Sequence, residues 1–169
     1  SDQKKITIIL PSKIMDYNLR NCIKKIRLFY KYIKIIIILD KKNYFTKSKN
    51  IKLIISGSKA IGYKRNLGAK HSKTLFICFI DSDAYPTHNW LDSVLDTFNK
   101  NKNVAAVGGP NLSPQTNNIE KKLVSEIRKI FFVTLDTRVK YKDENISYVN
   151  FLPSSNVTVK KNIYKKIGG

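Results

Sequence analysis

The segment Phe76-Ile77-Cys78-Phe79-Ile80-Asp81-Ser82-Asp83 carries the most chemistry in this sequence. A run of apolar residues delivers two carboxylates, two positions apart, at the end of what reads as a strand. In an extended chain residues i and i+2 point to one side, so the two charges would face the same space and repel. A hard divalent cation bound through oxygen relieves that repulsion. Such an ion typically takes only one or two protein carboxylates and fills its other positions with water and substrate phosphate. Asp81 and Asp83 therefore suit a metal and a diphosphate better than an all-protein metal cage. The competing reading is a polar turn whose carboxylates cap the next helix. The spacing alone does not separate the two.

The surroundings favour the first reading. Ile61-Gly62-Tyr63-Lys64-Arg65-Asn66-Leu67-Gly68-Ala69 precedes the carboxylates. Its cationic pair, Lys64-Arg65, would face the phosphates of a nucleotide. Gly62 or Gly68 would let a backbone or helix approach closely. Trp90, the one Trp of the chain, reads as core packing.

These residues need elements to position them, and the pattern alternates strand with helix. Ile6 to Leu10 reads as a first strand, ending at Pro11. Leu19, Cys22, Ile23, Ile26 and Tyr30 recur at helical spacing, with Asp16 as N-cap. Ile33 to Leu39 is nearly continuous and β-branched, as expected for a strand covered on both faces. Lys41 to Asn50 reads as a loop or short helix, and Ile51 to Ile55 as a strand. Ala60 to His71 reads as a helix and Thr74 to Ile80 as a strand. Pro86-Thr87 opens a helix through Phe98, and Val104 to Val107 is a strand ending at Gly108-Gly109-Pro110. A helix is expected from Ile119 to Phe132, then strands at Tyr148 to Leu152 and Asn156 to Val159, and a helix at Asn162 to Ile167. The expected class is α/β, with a mostly parallel sheet flanked by helices on both faces. In such sheets ligands bind outside the carboxyl ends of the strands. That places Pro11, Asp40, Ser56, Asp81 to Asp83 and Gly108 to Asn111 at the site.

Composition bounds the rest. The 169 residues suit one domain with its own core, and 42% hydrophobic residues exclude disorder. The net charge of +20 suggests nucleic acid, an anionic membrane or a phosphorylated substrate. However, 27 of the basic residues are Lys and only five are Arg, alongside 23 Ile and 16 Asn. These residue types share A/T-rich codons, and nucleic-acid readers lean on Arg. Most of the charge therefore reads as solvated surface, and a nucleic-acid partner is not expected. The longest apolar run is far short of the ~20 residues of a membrane span, and no leader is evident. Cys22 and Cys78 match no zinc spacing and read as buried thiols in a reducing, cytoplasmic compartment. His71 and His88 read as helix-end or surface residues, so a Ser/His/Asp or Cys/His hydrolase is not supported. A nucleotidyltransferase of similar architecture would carry a glycine-rich loop after the first strand. Pro11-Ser12-Lys13-Ile14-Met15 has no glycine.

Taken in order, Ile8-Ile9-Leu10-Pro11, Ile37-Ile38-Leu39-Asp40, Arg65-Asn66-Leu67-Gly68-Ala69, Phe79-Ile80-Asp81-Ser82-Asp83, Trp90-Leu91, Val107-Gly108-Gly109-Pro110, Ser155-Asn156 and Ile167-Gly168-Gly169 resemble family 2 glycosyltransferases along essentially the whole chain. The resemblance implies the GT-A fold, a Rossmann-like three-layer α/β/α arrangement. It also implies transfer of a sugar from a nucleoside-diphosphate sugar, commonly a UDP-sugar, to an acceptor hydroxyl with inversion. By the same resemblance, Pro11, Ser12, Asp40, Arg65, Asp81, Ser82 and Asp83 bind the nucleotide sugar. Asp40 would contact the base and Asp81 the ribose. Asp83, with Asp81, would hold Mn2+ or Mg2+ on the diphosphate. Lys41-Lys42-Asn43 departs from the acidic and small residues usual after Asp40, which bears on base preference. Gly109, Pro110 and Asn111 would face the sugar or acceptor. The family's catalytic base follows a Gly-Gly-Phe-Asp-Glu-like segment, so it is expected beyond Gly169, and residues 1–169 read as one domain cut before it. The expected acceptor is a polysaccharide, glycan or lipid-linked molecule. Peripheral contact with an anionic membrane is expected through Lys160-Lys161 and Lys165-Lys166.

Overall fold

The computed structural model describes residues 2–45, 48–84, 86–109, 119–120, 148–149 and 151–169. The described strands are β1 (Ile6–Pro11), β2 (Lys34–Leu39), β3 (Ile51–Ile55), β4 (Phe76–Ile80), β5 (Ala106–Gly108) and β6 (Asn156–Lys160). The helices are α1 (Tyr17–Phe29), α2 (Ile61–His71), α3 (Trp90–Lys100) and α4 (Lys161–Lys166), with a short 3-10 turn at Asp2–Lys5. The strands form one sheet in the order β3-β2-β1-β4-β6-β5. β1 pairs in parallel with β2 and β4, and β2 with β3. β6 runs antiparallel to both β4 and β5. The expected mostly parallel α/β sheet is therefore present, with one reversed strand inserted.

Alternation along the strands builds two cores, because successive side chains leave opposite faces. Ile8, Leu10, Ile35, Ile37, Cys78 and Ile80 pack with Leu19, Cys22 and Ile26 of α1 and Leu91 and Leu95 of α3. Ile9, Ile36, Ile38, Ile77, Phe79 and Val157 pack with Ala69 of α2 and Tyr164 of α4. The result is three layers, α/β/α. Burying both faces explains why Ile35–Leu39 reads as a continuous apolar run.

Two local devices set the helices that carry the site. Gly68 brings α2 onto the sheet: a Cβ there would lie 2.5 Å from Ile9 Cγ2 and 3.0 Å from Ile38 Cδ1. Side chains one turn away on the same helix face must then also point at the sheet. Tyr30, 1% exposed, caps α1 and anchors the start of α3. Its hydroxyl donates to the His88 carbonyl at 2.8 Å and accepts the Leu91 N–H at 3.0 Å.

That anchor corrects one expectation. The third helix opens at Trp90 rather than at Pro86-Thr87, because the carbonyls before it turn towards Tyr30. Asp16 caps α1 as expected, accepting from Leu19 N–H at 2.9 Å. The expected strand at Tyr148 to Leu152 is absent among its described residues, with Tyr148 and Phe151 exposed. The expected helix from Ile119 to Phe132 falls mostly outside the described residues. No described helix is long and apolar enough to cross a membrane. Both cysteines are free and buried.

Candidate active site

β1, β2 and β4 end side by side, and the residues at the ends of β1 and β2 are cross-tied. Ser12 N–H donates to Ile38 O at 2.9 Å, and Asp40 N–H donates to Lys13 O at 3.0 Å. Above these ends stands Lys64, one helical turn before Gly68 and therefore on the face of α2 turned to the sheet. Lys64 is 3% exposed. Its ammonium donates to Ser12 O at 2.7 Å and forms an ion pair with Asp40 Oδ1. A buried cation needs such partners, since an isolated charge away from water is strongly disfavoured.

At the end of β4 the chain does not stay extended. Asp81 to Ala84 forms a tight turn closed by Ala84 N–H on Asp81 O at 3.0 Å. The same-side geometry expected of an extended Asp-x-Asp therefore does not hold. The turn instead separates the roles of its carboxylates. Asp81 accepts from Arg65 Nη2 at 2.9 Å and is half-buried. Asp83 is exposed and forms no ion pair among the described residues.

The expected cationic pair facing the phosphates is likewise divided. Neighbouring residues on a helix point about 100° apart, as 3.6 residues per turn requires. Lys64 accordingly serves Asp40, and Arg65 serves Asp81. Arg65 Nε is buried with no hydrogen-bond partner among the described residues.

Behind the turn sits Cys22, with Sγ 4.0 Å from Asp81 O. Burial first, then the charges of Asp83 and Asp81, push its thiol up to about 12. Cys78 is pushed up to about 12 by burial. Neither is a nucleophile at neutral pH.

An open cleft of about 560 Å³ lies over the strand ends, with Pro11, Ser12, Asp40 and Ser82 in its wall. Lys64 completes that wall, and Lys59 stands beside it. The structure brings Pro11, Ser12, Asp40 and Ser82 together in one wall, while Arg65, Asp81 and Asp83 do not line it; the Lys64–Asp40 pair was not anticipated from the sequence. The signal was there: Gly68 marked the sheet-facing stripe of α2, and Lys64 lies four residues before it.

On the far side of β4, Trp90 Nε1 donates to Asn156 Oδ1 at 2.9 Å, tying α3 to β6. Trp90 thus does more than pack. Gly109 lies against the same Asn156, where a Cβ would be 3.2 Å from Nδ2. Pro110 and Asn111 lie outside the described residues. Tyr164 of α4 donates to Asn66 Oδ1 at 2.6 Å, and Gly169 is packed on the same Asn66 amide. Burial pushes the Tyr164 hydroxyl up, with Arg65 pulling against it. The pair Arg65-Asn66 therefore touches both the Asp-Ser-Asp turn and α4. Of the four lysines expected at a membrane, Lys160 donates to Lys102 O at 2.5 Å and Lys161 donates to Ser72 O.

The residues fit a divalent cation shared with a phosphate ligand. No group of three or more His, Cys, Asp or Glu gathers among the described residues, which excludes a closed protein cage there. An exposed Asp83 beside Asp81 would supply the one or two carboxylates that such an ion needs when phosphate completes its shell.

A family profile described as glycosyl transferase family 2 matches residues 7–155. No curated protein matches the sequence. Among solved structures, the mannosyltransferase PcManGT from Pyrobaculum calidifontis, in complex with GDP-Man and Mn2+, superposes with a TM-score of 0.69 at 13% identity, over 98% of this chain and 47% of that one. Residues 1–349 of TarS from S. aureus superpose with a TM-score of 0.63 at 13% identity, over 96% of this chain and 49% of that one. The chain thus spans about half the length of these solved proteins, and it shares the GT-A fold with them.

Proposed function

The chain belongs to glycosyl transferase family 2, and from that premise we propose that its strand-end cleft binds a nucleoside-diphosphate sugar, most simply a UDP-sugar, for transfer to an acceptor hydroxyl. One observation carries this reading. A single cleft collects the ends of β1, β2 and β4: Asp40, neutralised by Lys64, lines it, and so does Ser82 of the turn whose next residue is the exposed, unpaired Asp83. The turn end suits a diphosphate, and the Asp40 end suits an uncharged, hydrogen-bonding group.

Asp83, with Asp81, would hold Mn2+ or Mg2+ at the diphosphate. Such an ion offsets the negative charge that builds on the leaving diphosphate, a contribution of several kcal/mol in general. The chain's own residues supply the rest of donor binding. Arg65 holds Asp81 in place, and Lys64 holds Asp40. PcManGT is described with GDP-Man and Mn2+, so GDP is the second nucleotide to test. The acceptor in this reading is a glycan or lipid-linked hydroxyl, and transfer proceeds with inversion. Peripheral attachment to an anionic membrane in the cytoplasm would draw on Lys165 and Lys166, which are exposed.

Paramagnetic broadening in an amide NMR spectrum tests the placement. With UDP present, substoichiometric Mn2+ should broaden Ser82, Asp83 and Ala84 first. Gln3, Tyr32 and Asn50, at the opposite end of the sheet, should keep their intensity. Broadening centred away from the Asp81–Ala84 turn would overturn the assignment.

A further inference from the structure

We propose that Lys64 is a positioning residue for donor binding, acting on the nucleoside end of the cleft through Asp40. The proposal deepens the donor-binding reading and rests on it. Lys64 was expected to face the phosphates, yet it is bonded to Asp40 and Ser12 and is the most enclosed charge at the site, at 3% exposure. Its ammonium joins two strand ends, bonding Ser12 O of the β1 end and Asp40 Oδ1 of the β2 end. Stability alone does not account for the pair. A buried ion pair is often replaceable by apolar residues of similar volume at no loss of stability. What an apolar pair lacks is a carboxylate held in one orientation at a cleft wall.

The surroundings show what that orientation serves. The Asp40 side chain keeps 20% exposure, against 4% for that of Lys64. Both residues line the cleft, but Lys64 is almost sealed there and Asp40 is the more open of the two. The ammonium, bonded to Ser12 O and Asp40 Oδ1, therefore holds the carboxylate in place at the cleft wall. Ser82, between the two carboxylates of the β4 turn, lines the same cleft. A ligand with its diphosphate at the turn lays a second group along the wall towards Asp40. A carboxylate accepts hydrogen bonds only, so that group must donate, as the N–H groups of a nucleobase do. Lys64 thus sets where the donor N–H is met, without touching it.

The test separates the two ends of the ligand. Calorimetric affinities for UDP and for GDP, and separately for inorganic pyrophosphate with Mg2+, are compared for the wild type, Lys64→Met, Asp40→Asn and the double variant, below the melting point of each. Lys64→Met should weaken nucleotide binding roughly 10- to 100-fold, the range for a hydrogen bond to a charged group. Mg2+–pyrophosphate affinity should change by less than about twofold, as expected for a separate site. In the Asp40→Asn background Lys64→Met should bring no further loss, because Lys64 acts through Asp40. Equal weakening of nucleotide and pyrophosphate would mean a general structural role and overturn the proposal, as would additive losses in the double variant. If Lys64→Met does not fold, Asp40→Asn decides: unchanged nucleotide affinity overturns the proposal, and selective loss of nucleotide supports it. A wild-type chain that binds neither UDP nor GDP removes the donor-binding reading itself. A wild type that binds while the variants match it removes only the role of Lys64.

Discussion

Replacing Asp83 with alanine is expected to abolish the metal-dependent part of nucleotide binding while leaving the fold intact. The two halves of that expectation have separate causes. Asp83 is exposed, at the third position of the Asp81–Ala84 turn, and pairs with no cation among the described residues. Surface substitutions of that kind usually change stability by no more than ~0.5 kcal/mol. Its carboxylate is nevertheless the one at the β4 end that Arg65 does not occupy. Loss of even an indirect partner of a metal typically lowers metal affinity by ~10- to 100-fold, and loss of a direct ligand should reach at least the upper end. Titration of UDP into Asp83→Ala should therefore give the same weak affinity with and without Mn2+, with an unchanged melting temperature. A metal response equal to that of the wild type would place the ion elsewhere.

The second large effect is on folding. Lys64→Met leaves Asp40 without its counter-charge in a partly buried position. Removing one partner of a buried pair typically destabilises by ~3–5 kcal/mol. Asp40 keeps some contact with water, so the lower end of the range is expected here. At ~2–4 °C per kcal/mol for a chain of this size, thermal unfolding should fall by roughly 6–12 °C. The companion measurement is the double variant Lys64→Met, Asp40→Leu. It removes both charges and should recover at least half of the loss, because the cost comes from the stranded carboxylate. A single variant as stable as the wild type would show that Asp40 rehydrates freely and that the pair is loose in solution.

The two expectations turn on neighbouring residues of very different legibility. Asp83 stands out in the sequence because an apolar run ending in two carboxylates is a local pattern. Its geometry does not, because the switch from strand to turn depends on the hydrogen bond from Ala84 to Asp81. β2 was legible for a similar local reason, since burial on both faces writes itself as unbroken Ile and Leu. The reversed direction of β6 was not, because a strand pattern of period two has no polarity. Tyr148 to Leu152 shows the opposite failure. Its residue types favour strands, yet Leu152 packs over Gly108 and the second core instead. Lys64 was the least visible of all. It meets Asp40 across 24 positions of sequence, and only the docking of α2 through Gly68 brings them together. The +20 charge, conspicuous in the composition, points to much less. Of the basic residues at the cleft, Lys64 is already committed to Asp40, and its neighbour Arg65 to Asp81.

Calorimetric titration of the wild-type chain with UDP, and with GDP in parallel, in the presence of Mn2+ and again after chelation with EDTA, bears most directly on donor binding at the strand ends. Saturable binding of one of the two nucleotides, at least tenfold tighter with Mn2+ than with EDTA, is the predicted result. No nucleotide binding in either condition would contradict it.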